Sequence, residues 1–138
     1  MTITISSLDG NTYPINGILF DMDGTIVDSL HATERIWSQW AIDNGVHDRL
    51  VIQHGRPAEE TIRTAMPDLA GEEFDRMLAD QRAREALDLE GIVPIPGALD
   101  LMEWLNDVSI AWAVVTSADV VLARARLGAA GIHPPHLV

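Results

Sequence analysis

Apolar positions along this chain fall into two short continuous runs separated by helix-like periodic stretches. Ile18, Leu19 and Phe20 form the first run, inside Gly17-Ile-Leu-Phe-Asp-Met-Asp-Gly24. This predicts a buried parallel strand running into a glycine turn. Ile110-Ala-Trp-Ala-Val-Val-Thr116 is the second run. The two are too distant in sequence to form a hairpin, and each precedes a helical pattern, as strands of a parallel sheet with crossovers do.

Residues 31–90 read as almost wholly helical. Ile36, Trp37, Trp40 and Ala41 make one apolar face with Gly45 as its stop. Pro57 suits the first turn of a helix carrying Ile62, Ala65 and Met66, which Pro67 ends. A longer helix over 71–90 turns Phe74, Met77, Leu78, Ala83 and Leu87 inward, and Glu72 and Glu73 at its start favour the helix dipole. Ile92-Val-Pro-Ile-Pro-Gly97 breaks the pattern as a linker. Residues 98–107 and 118–130 form two more amphipathic helices. Residues 1–14 are expected to add an edge hairpin about Asp9-Gly10, since residues 2–6 alternate. The expected fold class is α/β, a parallel sheet with a helical insert after its first strand.

Composition narrows the partners. The chain has 138 residues and a net charge of −12, and its nine basic residues are all arginine. Such a balance disfavours nucleic acid and anionic membrane, which need a positive footprint. Without cysteine there is no disulfide framework and no thiolate chemistry. The longest apolar stretches are far short of a membrane span, and residues 1–16 lack a signal-peptide pattern. A soluble cytoplasmic protein is the expectation.

The chemistry concentrates in Phe20-Asp21-Met22-Asp23-Gly24-Thr25, at the C-terminal end of the first strand, where open α/β sheets bind ligands. Two acids at i and i+2 share one pocket if the backbone bends between them, and Gly24 permits that bend. Asp21 and Asp23 offer a carboxylate and a backbone carbonyl to Mg²⁺, the hard oxygens this ion prefers. Residues 18–29, Ile-Leu-Phe-Asp-Met-Asp-Gly-Thr-Ile-Val-Asp-Ser, resemble the first motif of the haloacid-dehalogenase-like hydrolase superfamily, in the subgroup with a helical cap inserted after it.

That resemblance implies a parallel-sheet core over 1–29 and 92–138 and a helical cap over 30–91, with Val27-Asp28-Ser29 and residues 92–96 as hinge strands. It implies that Asp21 is the nucleophile forming an aspartyl-phosphate and Asp23 the general acid and base. Mg²⁺ offsets the repulsion between phosphate and Asp21. Backbone amides about Met22, Asp23 and Gly24 cradle phosphoryl oxygens, and Thr25 supports the loop. Asp23 favours phosphate esters, because dehalogenase and phosphonatase members lack an acid there.

Val114-Val-Thr-Ser117 resembles the second family motif, with Ser117, beside Thr116, binding the transferring phosphoryl group. The alternative is that Ser117 or Thr116 only caps the next helix, with Asp119 as a first-turn acid. His54-Gly55-Arg56-Pro57-Ala58-Glu59-Glu60 resembles the cap loop that meets substrate. Arg56 is either a contact to a remote anionic or hydroxyl-rich portion or a solvent arginine. His31 and His54 read as ordinary polar residues, and Trp37 and Trp40 as cap core. Asp28 or Ser29 is either hinge or helix cap. Sugar-phosphate mutases of the subgroup carry a histidine and an arginine where this chain has Thr33 and Ala58, which favours hydrolysis. Residues 28–41, 96–98 and 112–117 look most like bacterial sugar phosphatases, so the expected partner is a small phosphorylated metabolite.

The family's third motif, a lysine, and its fourth, the acids that complete the Mg²⁺ shell, have no counterpart in this sequence. Removing one such electrostatic group typically costs about 100- to 1000-fold in rate. Two expectations follow. Either the chain is the N-terminal portion of a sugar-phosphate phosphatase, weakly active alone, or it is a noncatalytic remnant serving as a binding or interaction module. In both, Ile18 and Phe20 lie near an open sheet edge that favours self-association.

Overall fold

The structure is a computed structural model and describes residues 2–53 and 55–138. At the N-terminus, β1 (Ile3–Ser6) and β2 (Thr12–Ile15) pair antiparallel with Ile3 opposite Ile15. Their turn closes through Ser7 N–H to the Asn11 carbonyl at 2.9 Å, with Gly10 at φ 86°. The hairpin expected about Asp9-Gly10 is therefore present. Its second strand extends one residue beyond Pro14, and Met1 lies outside the described residues.

The two apolar runs become β3 (Gly17–Phe20) and β6 (Ala111–Val114), parallel and in register from Gly17 opposite Ala111 to Phe20 opposite Val114. The other edge of β6 meets the C-terminal segment. Val114 N–H donates to the His136 carbonyl at 3.0 Å, and Val138 N–H to the Val114 carbonyl at 2.9 Å. Strand β6 is consequently flanked on both sides, with Trp112, Ala113 and Val114 buried.

Strand β3 differs from the expectation of a buried strand. Successive side chains alternate between faces, so Ile18 and Phe20 turn toward the core while Leu19 turns away and stays 73% exposed. The described residues supply β3 with one neighbouring strand only.

The described residues also form five helices: α1 (Leu30–Asp43), α2 (Ala58–Ala65), α3 (Gly71–Leu87), α4 (Ala98–Asp107) and α5 (Val120–Ala129). Helix α1 buries Ala32 and the predicted Ile36, Trp37, Trp40 and Ala41, and the chain leaves it through Gly45 at φ 66°. Pro57 sits at the N-cap position of α2. Two short strands, β4 (Val27–Asp28) and β5 (Val93–Pro94), pair antiparallel where the chain enters and leaves the helical stretch.

Helix α3 is shorter than expected and presents a different face. Phe74, Gln81 and Glu85 are buried, whereas Ala83 and Leu87 are exposed. Positions 74, 81 and 85 fall on one stripe at 3.6 residues per turn, and 83 and 87 are rotated away from it. Glu85 holds the inner stripe because α3 meets the Trp37 indole and the Arg126 guanidinium there, whereas the Gln81 amide is buried without a hydrogen-bond partner among the described residues.

Two apolar clusters form. One gathers Met22, Val27, Ile92, Met102, Leu105, Trp112, Val114 and Leu127 around the sheet. The other gathers Trp37, Trp40, Ile62 and Phe74 among α1, α2 and α3, with the two indoles packed edge to face at 5.3 Å. No helix among the described residues is long and apolar enough to cross a membrane.

Candidate active site

The loop after β3 closes on one residue. The Met22 carbonyl accepts from Thr25, Ile26 and Val27 N–H at 3.3, 3.0 and 3.0 Å, and Gly24 N–H donates back to the Val27 carbonyl at 2.8 Å. Gly24 has φ 77°, a left-handed conformation that a side chain would strain. Met22 is fully buried and anchors the loop in the core. The Gly24 amide is thereby spent inside the loop, while the Met22 and Asp23 amides donate to no described residue.

This anchoring sends the flanking carboxylates into different surroundings. Asp21 is exposed, and its Oδ2 accepts from Thr25 Oγ1 at 3.1 Å. Asp23 is partly buried, and its Oδ1 accepts from Ser29 Oγ at 2.6 Å and from Arg126 Nη1 at 2.9 Å. Ser29 occupies the N-cap position of α1, but its hydroxyl serves Asp23 rather than the helix. Asp28 Oδ1 accepts from Leu30 N–H at 3.3 Å.

Arg126, on α5, is only 6% exposed in its side chain. Its Nη2 donates to Thr33 Oγ1 at 3.2 Å and lies 3.5 Å from Glu85 Oε1, while its Nε is buried without a partner. Glu85 also accepts from Trp37 Nε1 at 3.2 Å. Burial pushes the Glu85 carboxyl above its ordinary range, and the neighbouring Arg126 charge pulls it back in part. A chain of charges thus runs from the β3 loop through α5 to α3 and α1.

The second motif lies on the same side. Asp119, not Ser117 or Thr116, is the N-cap of α5, accepting from Val121 and Leu122 N–H at 3.0 Å each. Thr116 Oγ1 accepts from Ala118 N–H at 3.1 Å. Ser117 is free of capping and donates to the Gly55 carbonyl at 3.2 Å, which ties the strand end to the 55–57 loop. From that loop Arg56 approaches Glu60 only to 3.9 Å.

Asp23, Ser117, Arg56 and Arg126 line one cavity of about 80 Å³. Asp21, Met22, Gly24 and Thr116 do not line it. His31 is exposed and points to Glu34 at 4.0 Å, and His54 lies outside the described residues. Arg82, on α3, lines the same cavity and lies 3.6 Å from Asp119.

The donor set matches a magnesium ion in part. The Asp21 carboxylate and the Asp23 carbonyl are hard oxygens of the right kind. The Asp23 carboxylate does not fit, because a guanidinium already holds it. The described residues contain no group of three or more acids or histidines able to hold a metal.

Sequence reasoning missed Arg126 and Glu85. Their signal is a charge on an apolar stripe: Leu122, Ala123, Arg126 and Leu127 are the buried positions of α5, and Glu85 continues the buried stripe of Phe74 on α3.

Comparison with known proteins gives a consistent result. The family model described as haloacid dehalogenase-like hydrolase matches residues 15–135. Hexitol phosphatase A of Escherichia coli K12 is 40% identical over 123 residues, covering 88% of this chain and 57% of that protein. Validoxylamine A 7'-phosphate phosphatase of Streptomyces hygroscopicus subsp. limoneus is 32% identical over 117 residues, covering 82% of this chain and 55% of that protein. The chain thus spans little more than half the length of these relatives. A hydrolase structure from Pseudomonas syringae superposes with a TM-score of 0.72 at 20% identity, over 89% of this chain and 59% of that one. At that identity the match bears on the fold alone.

Proposed function

Since the chain belongs to the haloacid dehalogenase-like hydrolase family, we propose that it serves a Mg²⁺-dependent phosphatase acting on small phosphate monoesters, chiefly sugar phosphates, through an aspartyl-phosphate. The observation that carries this reading is the contrast at the end of β3: Asp21 is exposed and held by one hydroxyl, and Asp23 is fixed by Arg126 and Ser29. A nucleophile needs access and a proton donor needs fixed orientation.

In this mechanism the Asp21 carboxylate attacks phosphorus and the ester P–O bond breaks. Asp23 gives its proton to the leaving oxygen, then takes one from the water that attacks the Asp21 phosphoryl group and releases phosphate. The free amides of Met22 and Asp23 and the Ser117 hydroxyl receive the phosphoryl oxygens. The Asp21 carboxylate and Asp23 carbonyl are the groups that would hold Mg²⁺, whose charge would offset repulsion between two anions. Residues 30–91 act as the cap on a core of 1–29 and 92–138, with the β4–β5 pair as hinge and Arg56 reading the far end of the substrate. The two relatives' names, a hexitol phosphatase and a phosphatase of a 7'-phosphate, support polyol-like phosphates. Thr33 and Ala58 argue against mutase chemistry, since neither matches the mutase residues. The net charge of −12 disfavours polyanionic partners such as nucleic acid.

A second reading has its own support. With no lysine and no acid cluster among the described residues, the chain acts as a phosphate-binding or interaction module, associating through the open edge of β3. Incubation with hexitol, hexose, pentose and glycerol phosphates plus Mg²⁺ separates the readings. Slow phosphate release with preference for one class supports the phosphatase. An isomerised sugar phosphate without release would indicate a mutase, and saturable phosphate binding without turnover would indicate the module.

A further inference from the structure

The cavity beside Asp23 is too small for the substrate the site is read to take. About 80 Å³ admits a few waters, whereas small-molecule pockets run to roughly 300 Å³ or more. Its walls come from two parts of the chain: Thr33, Arg56, Arg82 and Glu85 from the helical stretch after β4, Asp23, Ser117 and Arg126 from the loops and helix about β3 and β6. Widening it between these walls requires α3 to separate from α5, although Asp21 itself lies outside the cavity and is exposed. The contacts that must part are the Arg126–Glu85 pair, at 3.5 Å with both side chains only 6% exposed, and the Arg82–Asp119 pair at 3.6 Å.

We propose that Arg126 is a positioning residue for Asp23, and that Glu85 makes this positioning conditional on α3 being docked against α5. The inference rests on the phosphatase reading for its catalytic meaning, though not for its geometry. Arg126 spans three elements, donating to Asp23 on the β3 loop and to Thr33 on α1 while it faces Glu85 on α3. With α3 docked, the guanidinium is desolvated and bracketed by two carboxylates, so the Asp23 carboxyl has one orientation. With α3 lifted, water reaches the guanidinium, Glu85 leaves, and the hold on Asp23 slackens. Proton transfer is thereby confined to the closed state, in which bulk water is excluded. Trp37 reinforces the arrangement by fixing the Glu85 oxygen that faces Arg126.

The test uses the full chain, ¹⁵N-labelled, with the arginine side-chain N–H signals followed by NMR. The Arg126 Nη–H protons are expected as separately resolved, slowly exchanging signals in the wild type and in Asp21→Asn. In Asp23→Asn and in Glu85→Ala they should collapse into the averaged signal of mobile arginines. Persistence of the protected signals in both of these variants would overturn the proposal.

Kinetics with p-nitrophenyl phosphate and Mg²⁺ give the functional arm. Arg126→Met is expected to lower kcat by about 100-fold while KM stays within about threefold, with partial recovery in Arg126→Lys. Equal kcat in wild type and Arg126→Met would overturn the positioning role, as would a change confined to KM. Undiminished turnover by Asp21→Asn would instead overturn the phosphatase reading, leaving the NMR result to judge the Arg126 network alone.

Discussion

Asp21 and Asp23 are separated by one buried methionine, yet they stand on flanks of the molecule that are built differently. On the Asp23 flank, α1, α3 and α5 converge, and the carboxylates there meet partners: Asp23 with Arg126 and Ser29, Glu85 with Trp37 and Arg126, Asp119 with the first turn of α5. On the Asp21 flank, among the described residues, β3 has a strand on one side only, Leu19 is bare, and Asp21 has a single hydroxyl for company. The difference is that the Asp23 carboxylate is held in place by charged and hydroxyl partners while the Asp21 carboxylate is left open. No lysine and no acid cluster stand near Asp21 among the described residues.

If the two flanks differ in this way, substitutions should separate them by stability. The largest loss is expected for Arg126→Met, which strands two partly or fully buried carboxylates. Breaking a buried pair by removing one partner costs about 3 kcal/mol or more, to be read as a lowered urea midpoint. Next is Trp37→Phe, which leaves Glu85 without its indole donor. The expected cost is about 1–2 kcal/mol in the same assay.

A smaller effect depends on pH. Burial raises the Glu85 carboxyl, with Asp23 and Asp119 adding to the rise while Arg126 and the Trp37 bond oppose it. Above the ordinary glutamate value the folded chain still holds this proton and the unfolded chain has released it. Stability therefore declines as pH rises through that window, until it passes the raised value. Thermal unfolding at stepped pH should show a shallower decline for Glu85→Gln than for wild type.

The smallest change belongs to the open flank. Leu19→Lys should alter stability by no more than about 0.5 kcal/mol. It should also reduce self-association through the β3 edge in sedimentation velocity. A loss there as large as that of Arg126→Met would mean that β3 is not an open edge.

What the sequence disclosed follows the same division. The β3 loop, with its two acids and its glycine, was legible because its chemistry is local: the motif and the turn that presents it occupy six consecutive residues, 20–25. The helices of the insert were legible from their apolar spacing, whereas whether Ser117 or Thr116 caps α5 was not, and the structure gives that place to Asp119. Arg126 was not legible, because its bond to Asp23 joins positions 103 residues apart and no local pattern encodes that meeting. The inner face of α3 was misread for the same reason. Ala83 and Leu87 are the natural apolar choices, and only the presence of Trp37 and Arg126 opposite makes Glu85 the inward one. The exposure of Leu19 likewise depends on how many neighbours β3 has, which an apolar run by itself does not specify.

The central claim is that Asp21 is the nucleophile of phosphoryl transfer and that the chain retains this chemistry at a reduced rate. Phosphate release from a sugar phosphate in the presence of Mg²⁺, measured side by side for wild type and Asp21→Asn at matched folded concentration, tests it most directly. The account predicts slow release by the wild type and a loss of about 1000-fold or more in the variant. Equal release by the two proteins would contradict it.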